Sequence, residues 1–150
     1  MRKVLFLLLF VVCNVSVFSQ ESFKAPSELA SGKVIKMKLI DGFPEKGKRS
    51  LEQITRLGEI RELVFKGDTL FYMNDTLFLR PNSYYGNNKD IYIYTTYADV
   101  TTTHTLMVLI TKDLKRANTF YWPLPVKGRN AMIHVLTSDL STPLVNGGLY

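Results

Sequence analysis

His104 and His134 are the only histidines in a chain of 150 residues, and near neutral pH an imidazole is the side chain best suited to take up and return a proton. They stand far apart in sequence, and neither lies at a short spacing from a Cys or a second His. No metal site is therefore expected. His104 follows Thr101, Thr102 and Thr103, with Asp99 close before them, so Asp99, His104 and a neighbouring threonine are the nearest approach to a hydrolytic triad. His134 sits in Met132-Ile133-His134-Val135, which reads as ordinary strand sequence. No catalytic grouping stands out, and Asp99, His104 and His134 are the residues from which one could be built. Glu59 and Glu62, three apart beside Arg61, read as solvated surface and not as the carboxylate pair of a glycoside hydrolase. With no Gly-x-Ser-x-Gly, phosphate loop or dinucleotide fingerprint, no cofactor is expected.

Binding chemistry is better represented. Lys46, Lys48 and Arg49 form one basic cluster, Lys112, Lys115 and Arg116 a second, and Lys127 with Arg129 a third, all in segments that read as turns. The clusters are dilute and carry no interleaved aromatic residues, so they do not resemble a nucleic-acid surface. Tyrosines gather at Tyr84, Tyr85, Tyr92, Tyr94 and Tyr97. On a strand, Tyr92 and Tyr94 share a face, and with Tyr84 and Tyr85 in the loop before them they offer rings that could stack on a sugar or clamp a peptide.

The elements that must hold these groups begin after residue 19. Residues 1–19 combine the basic Arg2 and Lys3, an apolar run from Val4 to Cys13 and the small-residue end Val17-Phe18-Ser19, the pattern of a cleaved signal peptide. The only cysteine, Cys13, lies inside it, and Val12 before it is not the small residue that a lipoprotein signal requires, so the exported domain relies on its core without disulfides. Residues 20–32 read as a flexible arm, 33–137 as one β domain and 138–150 as a tail. Lys33 to Ile40 alternates apolar and basic residues as a half-buried strand, ended by Asp41-Gly42. Ser50 followed by Gln53 is a capping box that opens a short helix, which must dock on a sheet to persist. Residues 61–80 form a β-meander with two tight turns. Further strands are expected at Ile91 to Ala98, at Thr105 to Thr111 (apolar on both faces and the most buried), at Asn118 to Leu124 and at Ala131 to Thr137. About eight short strands with one helix indicate an all-β, mainly antiparallel barrel or sandwich. In an up-and-down order the loops alternate between ends, so Lys46, Lys48, Arg49, Lys127 and Arg129 would share one positive rim.

The Phe18-Ser19-Gln20 junction resembles those of exported proteins of the Bacteroides group of Gram-negative bacteria, which implies a bacterial envelope and a periplasmic or extracellular location. The eight-strand pattern is similar to lipocalins in architecture alone: their Gly-x-Trp near the first strand is missing, and the sole tryptophan is Trp122 in Phe120-Tyr121-Trp122-Pro123. An outer-membrane barrel is disfavoured because the last ten residues, STPLVNGGLY, contain Pro and two Gly and cannot form a closing amphipathic strand; no transmembrane span is expected once the signal is removed. The chain thus reads as an exported β-domain that binds or interacts, the partner being an anionic ligand such as a glycan or lipid head group, or another envelope protein. A small hydrolase or isomerase with a His/Asp cleft and a structural envelope component are the alternatives.

Overall fold

The computed structural model describes residue 29 and residues 32–81, 88–96, 104–123 and 130–145, with the backbone alone at Leu51. Its strands are β1 (Lys33–Pro44), β2 (Ile60–Lys66), β3 (Thr69–Tyr72), β4 (Asp75–Arg80), β5 (Ile91–Thr95), β6 (His104–Thr111), β7 (Arg116–Pro123) and β8 (Met132–Thr137), with one helix, α1 (Leu51–Thr55), between β1 and β2. Each strand pairs antiparallel with the next, and β8 returns to β1, which closes an eight-stranded up-and-down barrel. The choice between barrel and sandwich is thereby settled for the barrel. Among the described residues no helix is long and apolar enough to cross a membrane.

Closure depends on β1, which serves two neighbours. It pairs with β2 from Lys33 to Lys38 and with β8 from Lys38 to Pro44. Between Leu39 and Asp41 the register to β8 shifts, the mark of a β-bulge, which bends a strand and steepens its twist. Asp41-Gly42, expected to terminate the strand, instead lies within it, because the bulge turns the chain without ending the ladder.

Period two then sorts side chains to the two faces of the wall. Met37, Leu39, Leu63, Phe65, Leu70, Tyr72, Leu77, Tyr94, Val108, Ile110 and Leu136 point inward, and each is 1% exposed or less. Burying one such leucine contributes about 1.5–3 kcal/mol. Outward on β5 to β7, Ile93, Met107 and Leu109 form a second buried cluster against Ile91, Phe120 and Trp122, with the Phe120 and Trp122 rings stacked at 5.8 Å. This explains why the centre of β6 is apolar on both faces.

The two barrel ends differ. At the end that holds the β6–β7 turn, Leu114 and Leu29 join the main core, Leu114 with a left-handed φ of 59°. Leu29, within the segment read as an arm, is 1% exposed. At the other end the chain leaves β1, forms α1 and enters β2. The described part of the tail runs along the outer wall: Lys38 Nζ donates to the carbonyls of Leu140 (3.0 Å) and Thr142 (2.8 Å), and Val145 N–H donates to Ile40 O at 3.0 Å.

Candidate functional site

Beneath α1 the barrel holds a cavity of about 550 Å³. Its wall includes Tyr72, Asp75, His104, Leu106, Thr119, Tyr121, Met132 and His134, and α1 with its flanks supplies Ser50, Glu52, Gln53 and Arg56. The helix is fixed over the mouth by its capping box, in which Ser50 Oγ accepts from Gln53 N–H and Gln53 Oε1 accepts from Ser50 N–H at 2.7 Å. The same Gln53 side chain reaches across to Met132 Sδ at 2.9 Å. Helix and barrel wall therefore share one residue.

The floor is a network around a buried cation. Arg61 is 7% exposed, facing inward with Leu63 and Phe65 by strand parity. Its Nη1 donates to Tyr72 Oη at 2.8 Å and to His134 Nδ1 at 3.1 Å, and its Nη2 donates to Glu59 Oε2 at 3.1 Å. Guanidinium has no acceptor, so His134 Nδ1 must offer a lone pair and the neutral ring carries its proton on Nε2. Burial, and next the nearby positive charge of Arg61, hold His134 down at a pKa of about 4, from 6.5. It is neutral at pH 7. Gly42, opposite His134 across β1 and β8, makes room for the ring: a Cβ there would stand 3.2 Å from His134 Cδ2.

The upper wall carries a second polar pair. His104 Nε2 and Asp75 Oδ1 are 2.8 Å apart, both about one-quarter exposed, and the His104 ring lies against Tyr121 with centroids 5.0 Å apart. Met73, in the β3–β4 turn beside the mouth, has φ of 55° and is 62% exposed. A left-handed conformation costs a residue with a Cβ about 1–2 kcal/mol, so the turn holds an apolar side chain at the rim against its local preference.

Comparison with protein-family models, with curated proteins and with solved structures finds no match to this chain. The geometry therefore carries the functional argument.

The two histidines, far apart in sequence, line one cavity. The carboxylate that meets His104 is Asp75, placed inward with Leu77 by strand parity; Asp99 lies outside the described residues. Tyr92 and Tyr94, expected to present a platform to solvent, face into the barrel instead. Tyr94 is fully buried, edge-on to Phe65 at 5.6 Å, while Tyr92 packs partly buried against the core, 5.9 Å from Lys112 Nζ. Tyr94 Oη is buried with no hydrogen-bond partner among the described residues, and burial, followed by Asp68, pushes its phenol well above the usual range. Tyr84, Tyr85, Lys127 and Arg129 lie outside the described residues.

Of the basic rim, Lys46 and Lys48 are exposed on the connection from β1 to α1. Asn130 Nδ2 donates to Lys46 O at 2.7 Å, and Glu45 N–H donates to Ala131 O at 2.8 Å, so the β1–α1 connection and the entry to β8 meet at the cavity end. Arg49 is held in an ion pair with Asp41 at 2.7 Å, its guanidinium 5.8 Å from the Phe43 ring centre. It is a brace more than a free rim charge. Sequence reading overlooked Arg61 and Tyr72, although alternation with Leu63 and Leu70 places both on the inner face. Glu59, read as surface, is half-exposed and anchors Arg61, whereas Glu62 pairs with Lys36 on the outer wall at 3.6 Å.

Proposed function

We propose that this protein is an exported small-molecule binding barrel that takes its ligand into the cavity beneath α1. One observation carries the reading: the barrel is packed at one end and hollow at the other, with a cavity in the size range of small-ligand sites. Leu106, Met132 and the Tyr121 ring provide an apolar wall, and a few convergent polar groups supply orientation, the usual division of labour in such sites. Exposed Lys46 and Lys48 at the same end favour approach of an anionic molecule, an attraction that salt screens.

The test is uptake of Nile red, an uncharged apolar fluorophore. Saturable one-to-one binding with a blue shift is expected, and Leu106→Trp or Thr119→Trp, which fill the cavity, should reduce it at least tenfold while the variants stay folded. No saturable binding, or binding indifferent to both substitutions, would exclude the reading.

The His104–Asp75 pair favours a second reading, in which the bound molecule is also hydrolysed or isomerised. A carboxylate that orients an imidazole is the arrangement that general acid–base catalysis uses. That reading requires turnover to fall at least a hundredfold in His104→Gln, and activity independent of His104 would eliminate it.

A further inference from the structure

We infer that the floor of the cavity is a seat for a carboxylate, and that the ligand is an apolar monocarboxylate whose head group is held by the Tyr72 hydroxyl and the His134 Nε2–H over Arg61. This rests on the cavity being the binding site and adds the ligand's chemical class.

Three features of the floor converge. First, both donors are set by the same nitrogen. Arg61 Nη1 donates to the Tyr72 oxygen and to the His134 Nδ1 lone pair, which leaves His134 only its Nε2–H to give and the Tyr72 hydroxyl its own proton, and both side chains line the same cavity. Among the described residues neither proton meets an acceptor. Second, the cluster under the two donors holds more positive than negative charge, while the other carboxylates of the lining are engaged elsewhere, Asp75 bonded to His104 and Glu52 exposed on α1. Glu59 is the carboxylate bonded to Arg61, and it also meets Arg56 at 3.8 Å, so one half-exposed anion serves two guanidinium groups. Third, His134 stays neutral well below pH 7, which keeps its protonation pattern constant over the physiological range.

Two donors beside a cluster of two guanidinium groups and one carboxylate match the two oxygens and one charge of a carboxylate ligand. A phosphate, with three terminal oxygens and up to two charges, would leave acceptors unmet in a partly dry site. Leu106 and Met132 in the wall suit an apolar body above the head group.

Calorimetric titration of the protein with decanoate and with decanol, in parallel, separates this inference from the reading beneath it. Decanoate is expected to bind at least tenfold more tightly than decanol. Tyr72→Phe and His134→Leu should each weaken decanoate about tenfold and leave decanol within about twofold, while His134→Gln, which keeps an N–H, should retain most of the preference. The decanol arm also reports whether each variant keeps its fold. If neither molecule binds, the cavity reading itself fails and the seat with it. If both bind equally, the cavity stands and the carboxylate seat is overturned. A preference for decanoate that survives both Tyr72→Phe and His134→Leu would likewise overturn the seat.

Discussion

At the scale of single residues, the barrel interior accepts charge only where it is bonded. Arg61 is tolerated at 7% exposure because three partners take up three of its five donors and Glu59 balances its charge, and the arrangement in turn dictates the tautomer of His134. A measurable linkage follows. The folded protein holds His134 at about 4, whereas the unfolded chain binds the proton below about 6.5. Between those values the unfolded state carries more protons, so stability contributed by neutral His134 is complete above pH 6.5, declines as pH falls, and is exhausted near pH 4. Allowing for solvent in the cavity, the loss is about 1–2 kcal/mol. Urea denaturation at pH 7 and pH 4.5 should show it in the native sequence and not in His134→Gln. An equal decline in both would assign the acid sensitivity to other groups. Arg61 and His134 also show what was hard to read in one dimension. The alternation of β2 and β8 places each side chain inward, but that they meet requires the closure of β8 on β1, which no local pattern encodes.

At the scale of elements, the short helix is the part most exposed to small changes. A helix of five residues has too few internal hydrogen bonds to persist alone, so it depends on its cap and on the Gln53–Met132 contact. Ser50→Ala should destabilise it by about 1 kcal/mol, read as roughly fivefold faster hydrogen exchange at Gln53 and Ile54 with the amides of β6 unchanged. Uniform acceleration through the barrel would mean that α1 is part of the global fold and not a separately opening cover. The capping box was legible from Ser50 and Gln53 alone because its chemistry is local. The bulge in β1 was not, since Asp41-Gly42 has the composition of a turn and only pairing with β8 keeps it in the ladder. The inward placement of Tyr92 and Tyr94 was hidden for a related reason: Ile91-Tyr92-Ile93-Tyr94 is apolar on both faces, and the outer cluster of Ile93, Met107 and Leu109 claims the isoleucines.

At the scale of the whole molecule, closure makes one core from strands distant in sequence. Leu77 on β4 and Leu136 on β8 are both fully buried in it, so Leu77→Ala and Leu136→Ala should each cost about 2–5 kcal/mol, whereas Thr76→Ala on the outer face should change stability by less than about 0.5 kcal/mol. Chemical denaturation would check both, and a mild effect at Leu136 alone would mean that β8 closes the barrel only loosely. The central claim, that the hollow end is a ligand site, is tested most directly by the methionines, which sample each region of the molecule. Met132 lines the cavity, Met73 stands at its rim, Met37 is in the filled core and Met107 is on the outer wall. With the methionine methyl groups labelled with carbon-13, titration with decanol should shift Met132 most, Met73 next, and Met37 and Met107 little, all saturating at one equivalent. Shifts confined to Met107, or none that saturate, would contradict the account.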